Sequence, residues 1–109
     1  MQKDYKLRES VEFQQVFKRN KSLRDQDWLI LYRPNNLDTA RLGTAVSKKN
    51  VRKAVQRNRI KRIIRETFRK NREAMDAVDI VVLVRQGISE KSNRQLNTTI
   101  NAQWQKLAR

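Results

Sequence analysis

The sequence predicts a mixed α/β (α+β) two-layer sandwich, one sheet of about four strands covered by helices in the order αβββαβα. Three observations predict it. Apolar residues recur with helical spacing at Ile60, Ile63, Ile64 and Phe68, and again at Leu96, Ile100, Trp104 and Leu107. Residues 80–84 are continuously apolar, as in a strand buried on both faces. Residues 28–33 and 41–47 read as strands with a turn between them. In 109 residues with one Pro and two Gly no linker is visible, so 1–109 is expected to be a single domain.

The first helix begins after Ser10, a good N-cap, and places Phe13, Val16 and Phe17 on one face. Lys18, Arg19 and Lys21 fall near its end, where cations suit the helix dipole. A short extended piece follows around Ser22 and Leu23. The strand at 28–33 is closed by Pro34, the turn Asn35-Asn36-Leu37-Asp38 follows, and the strand at 41–47 comes next. Together these two strands read as an antiparallel hairpin. A long helix then spans about 52–73, with Ile60, Ile63, Ile64, Thr67 and Phe68 toward the sheet. The strand at 80–85 turns at Gln86-Gly87, and Ser92 with Gln95 resembles a capping box opening the last helix.

Charge sets the function class. The chain carries 26 Lys and Arg against 11 Asp and Glu, a formal net charge of +15. Residues 52–72 hold ten cations and one acid, Glu66. A helix that positive repels itself unless an anion lies against it, and a nucleic-acid backbone supplies anions at regular spacing. On the helical wheel Arg57, Lys61, Arg65, Asn58, Arg69 and Arg62 adjoin the apolar stripe, so one face packs while its flank stays cationic. Arginine forks bind phosphate with two parallel hydrogen bonds. Spacings of three and four set them about 5–12 Å apart along the helix. Asn58 adds a neutral group able to reach a base edge or a 2′-hydroxyl. A merely solvated face usually interleaves acids, and this one scarcely does.

Other classes are disfavoured. No cysteine and no histidine are present, which removes thiolate metal sites, disulfides and the commonest general base. The acids are scattered: Asp25 with Asp27, and Asp76 with Asp79, suit turns and helix ends better than a metal nuclease. The start lacks the apolar core of a secretory signal, and the longest apolar run is too short to span a bilayer. The basic helix lacks the Trp, Phe and Leu of a membrane-surface helix. A cytoplasmic protein with no membrane partner is expected. Phe13 and Phe17 could form a base-stacking surface, but their spacing alone favours core packing, and Trp28 and Tyr32 face the same choice. Lys48 and Lys49, after Ser47, extend the basic surface. On the residues three classes remain open: a structural RNA-binding protein, a major-groove DNA reader and a stand-alone nuclease.

The run Val46-Ser47-Lys48-Lys49, then Arg57-Asn58-Arg59, Lys61-Arg62 and Arg65-Glu66, resembles the protein subunit of bacterial ribonuclease P. Residues 12–17 and 79–84 are similar to that family's first helix and last strand, and only 23–41 match weakly. The resemblance implies a left-handed βαβ crossover around the basic helix, a hand opposite to the usual one. It implies that a large RNA catalyses removal of the 5′ leader from precursor tRNA, with Mg2+ held by the RNA subunit and substrate. The protein would lower the magnesium requirement and, alone, be monomeric. Arg57, Asn58, Arg59, Lys61, Arg62, Arg65 and Arg69 would bind the catalytic RNA. Phe13, Phe17, Lys48 and Lys49 would form the leader cleft, reversing the core reading of the phenylalanines. Catalytic residues and a protein-held cofactor would be absent. Asn50-Val51-Arg52-Lys53 departs from the family, many of whose members have a Gly here, which leaves the path into the helix open.

Overall fold

The structure, a computed structural model, describes residues 6, 7 and 10–109, with the side chains of Ser10 and Val11 excepted. The predicted cap by Ser10 therefore lies outside the described residues. Helix α1 covers Ser10–Lys18. Strands β1 (Lys21–Arg24), β2 (Trp28–Pro34), β3 (Arg41–Ala45) and β4 (Val78–Val84) form one sheet in the order β1-β2-β4-β3. Helix α2 (Ala54–Asn71) runs into a short 3-10 turn at Arg72–Ala74, and α3 (Asn93–Lys106) ends the chain.

The element order is as predicted, but the β2–β3 hairpin is not formed. β4 lies between those strands, antiparallel to β2 and parallel to β3. The tight antiparallel pairing is instead β1 with β2. The physical reason lies in β4: six of its seven residues are buried, so it needs a neighbour on each edge and takes the centre. The 35–38 segment accordingly bridges over rather than folding back. Asn36 adopts φ 58°, and the Asn35 amide donates to Thr39 O at 2.9 Å and to Asp79 Oδ1 at 3.0 Å. Asp25 shows the turn chemistry expected of it, accepting from the backbone N–H groups of Asp27 and Trp28.

α2 and α3 cover one face of the sheet. Ile60, Ile63, Ile64 and Phe68 meet Ile80, Val82, Leu42 and Ile30 there, closed by Leu96, Ile100 and Trp104. Both indoles find partners: Trp28 Nε1 donates to Thr99 Oγ1 and Trp104 Nε1 to Thr67 Oγ1, each at 2.8 Å. Phe68 meets Trp104 edge to face at 5.7 Å. The Ser92–Gln95 capping box is present. α1 covers part of the opposite face, where Leu7, Val16, Leu31 and Val81 form a second, smaller core. The single α1 helix cannot roof that face completely, and the uncovered part matters below.

Candidate nucleic-acid interface

α2 keeps its sheet-facing stripe apolar and leaves its cations without acids. Among the described residues no cation of α2 is ion-paired; the pairs of Arg41 with Glu12 and Asp79, and of Lys91 with Asp27, lie elsewhere. Its first turn has no acid, and its N-cap, Lys53, supplies no side-chain acceptor. The positive helix end is thus left uncapped beside Arg52 and Lys53.

The predicted basic residues divide. Asn58, Arg62 and Arg69 are exposed, and Lys61 and Arg65 are half-buried along the edge nearest β3. Arg65 lines a pocket of about 180 Å³ with Phe13, Gly43 and Thr44, so this flank reaches round the sheet edge to α1. Arg57 belongs to the same flank, with one nitrogen spent: its Nη1 donates to Val51 O at 3.0 Å and Arg52 O at 2.7 Å. Arg59 lies on the other side. Its guanidinium donates to Gln56 Oε1, Asn93 Oδ1, Ser89 O and Lys91 O, stitching α2 to the loop before α3. A phosphate would have to compete with four acceptors there.

The departure at residues 50–53 is held by its own contacts. Asn50 Nδ2 donates to Val84 O at 2.9 Å, and buried Val51 donates its N–H to Ser47 O. Lys48 and Lys49 are exposed in the turn after β3. Lys49 borders a concavity of about 480 Å³ with Arg52, Lys53, Gln86 and Glu90, beside the start of α2.

The other surface follows from strand register. On the α1 side, residues line up across the sheet in rows. Arg33, Asp79 and Arg41 form the first row, Ser22, Leu31, Val81 and Gly43 the second, and Arg24, Leu29, Leu83 and Ala45 the third. α1 is tied to the first row by the Glu12–Arg41 ion pair and a bond from Arg33 Nη1 to Gln15 O at 3.2 Å. It seats Val16 on the second row, with Leu31 and Val81. In the third row Leu29, Leu83 and Ala45 stay half-buried and unroofed, and Arg24 is exposed. Phe13 is half-buried over Gly43, and Phe17 is 47% exposed. Neither is a fully buried core residue; Val16 between them is. The result is an apolar cleft walled by α1, floored by Leu29, Leu83 and Ala45, with Arg24 at its end.

Sequence reading missed Leu29, Leu83, Ala45, Arg24 and Gly43. Their alternation in the strands was a signal, but joining them into one floor requires the β1-β2-β4-β3 order. It also missed the tie that sets the cleft's width. Arg41 grips Asp79 through Nε–Oδ1 at 2.8 Å and Nη2–Oδ2 at 2.7 Å while reaching Glu12 on α1. The hydrogen bond with Asp79 raises the Arg41 pKa, outweighing desolvation, so the guanidinium stays charged. Among the described residues there is no group of three or more acidic side chains that could hold a metal ion. Nor, among them, is any helix long and apolar enough to cross a membrane.

A cationic helix flank thus meets an apolar cleft at one edge of the sheet. Comparison with known proteins gives the family. The family model for Ribonuclease P matches residues 1–108. The ribonuclease P protein component of Legionella pneumophila (strain Corby) is 44% identical over 106 residues, covering 97% of this chain and 91% of the relative. The Staphylococcus aureus RNase P protein structure superposes with a TM-score of 0.88 at 31% identity, covering 98% of this chain and all of that one. The Thermotoga maritima RNase P protein gives 0.83 at 32% identity, covering 95% and 98%. The chain belongs to the ribonuclease P protein family.

Proposed function

We propose that this member of the ribonuclease P family is the RNA-binding protein subunit of the ribonucleoprotein that removes the 5′ leader from precursor tRNA. The observation that carries the reading is the α2 flank, whose cations have no acid partner among the described residues and whose Arg65 reaches the edge of the α1 cleft. Arg57, Asn58, Lys61, Arg62, Arg65 and Arg69 meet the phosphates and sugars of the catalytic RNA. Arg59 contributes by bracing the loop before α3. Phe13, Phe17 and the Leu29–Leu83–Ala45 floor hold unpaired leader bases by stacking and apolar contact. Lys48 and Lys49 supply charge at the junction of the two surfaces.

Chemistry in this reading belongs to the RNA subunit, and magnesium is held by RNA and substrate oxygens. The protein offsets repulsion between three sets of phosphates, so fewer metal ions are needed to assemble them. It acts in the cytoplasm and is a monomer before it meets RNA. The test is precursor-tRNA cleavage by a bacterial ribonuclease P RNA at low magnesium, with and without the protein. A large stimulation, lost in an Arg57→Ala/Arg62→Ala/Arg65→Ala variant that still folds, is the expected result. Tight, salt-sensitive RNA binding with no stimulation would instead identify a general RNA-binding protein.

A further inference from the structure

A second concavity, of about 410 Å³, lies at the end of the sheet, between the turn that leaves α1 and the end of β2, with Tyr32 on the α2–α3 face. Tyr32 and Pro34 contribute its apolar surface; Arg19, Lys21 and Arg33 line it, and no acid among the described residues does. Lys21 and Tyr32 are direct cross-strand partners, so a cation stands beside the ring. Tyr32 packs its inner part on the main core, yet its hydroxyl has no partner among the described residues. Arg33 is steadied by the Gln15 carbonyl, whereas Arg19 and Lys21 are exposed and, among the described residues, have no ion-pair partner.

This concavity is separate from the cleft. On the α1 wheel Arg19 falls on the side of Glu12 and Gln15, facing the Arg33–Asp79–Arg41 row, while Phe13 and Phe17 face the unroofed row. The two surfaces meet only round the carboxyl end of α1. That end is short and closed: Asn20 Nδ2 caps it on Val16 O at 2.7 Å and Phe17 O at 3.2 Å. Phe17 and Arg19 are two residues apart across it. A strand leaving Phe17 therefore reaches Arg19 by rounding a single turn.

We propose that this concavity is a second nucleotide subsite, taking an unpaired leader nucleotide upstream of those in the cleft. Its base stacks on Tyr32 and Pro34, its phosphate lies against Arg19 and Lys21, and the Tyr32 hydroxyl is free to bond a base edge or sugar. An aromatic face with flanking cations is the chemistry unpaired nucleotides require. Absence of acids excludes a basic partner. The inference rests on the reading of the Phe13–Phe17 cleft as the leader's path.

The test measures binding of the holoenzyme to precursor tRNAs whose leaders grow one nucleotide at a time. Wild type is expected to gain affinity in two steps, the second about tenfold, within what stacking one base contributes. Arg19→Ala/Lys21→Ala and, separately, Tyr32→Leu should erase the second step and keep the first. The double variant alters exposed side chains only, and a thermal melt checks that Tyr32→Leu folds. A wild type with one step, or variants that keep both, overturns the subsite. A wild type with no leader dependence overturns the cleft reading itself. Equal loss with every leader, including none, means these cations meet the RNA subunit, and the subsite is likewise overturned.

Discussion

Gly43 decides where Phe13 lies. A Cβ added there would stand 2.5 Å from Phe13 Cζ and 2.8 Å from Cε1, so the tip of the ring rests against bare backbone. In Gly43→Ala the ring must swing off the strand, which is cheaper than moving the sheet. The expected outcome is a stability loss of about 1–2 kcal/mol with a larger loss of leader-dependent affinity. Thermal melts and binding of precursor against mature tRNA separate the two, and equal affinity losses for both RNAs would contradict it. Arg59 and Arg62 make a complementary pair. Arg59→Ala removes bonds to two carbonyls and two side-chain oxygens, and should cost about 1–2 kcal/mol of stability. Arg62→Ala removes no intramolecular bond and should leave the melt unchanged, lowering the log–log salt slope of RNA binding by about 0.7–0.9. Both sit in one basic motif in the sequence. Only the fold shows that one faces α3 and the other faces outward.

At the scale of elements, α1 is nine residues long and holds the cleft open by where it is tied. Val16 gives it one fully buried anchor, and Glu12, through Arg41 and Asp79, fixes its amino end. Glu12→Gln keeps the shape and removes the charge. It is expected to cost about 1 kcal/mol and to speed hydrogen exchange in α1 while α2 and α3 stay protected. Unchanged exchange in α1 would show that Val16 alone docks the helix. Much of this architecture was legible. The stripes of α2 and α3 followed from period, and the Ser92 capping box from two residues. β2 and β3 were found as strands, but their pairing was not, because period-2 alternation fixes faces and leaves neighbours undetermined. The cleft was half-legible for the same reason. Phe13 and Phe17 could be named from the sequence, while Leu29, Leu83 and Ala45 became a floor only once β4 was known to separate β2 from β3.

Across the whole molecule, charge works against the fold and for the complex. The net charge is +15, and Arg57, Lys61, Arg65 and Arg69 repeat at every fourth position of α2 with no carboxylate among the described residues paired to any of them. Three successive like-charge pairs of that kind cost a helix roughly 1 kcal/mol in total, and the field of the remaining cations adds to it. Salt screens this repulsion, with a Debye length of about 10 Å at 0.1 M. The free protein should therefore melt at higher temperature as monovalent salt is raised from low concentration. The same salt competes with the protein for phosphates. If about six are neutralised, the log–log slope of affinity for the RNA subunit should lie near −4 to −5. The two responses have opposite signs and one origin, since RNA supplies the anions the protein lacks. Melts of the free protein and binding isotherms over the same salt series check both. A melting temperature that falls with added salt would mean that favourable charge pairs dominate the free protein, and α2 could not then be the unpaired cationic surface described here.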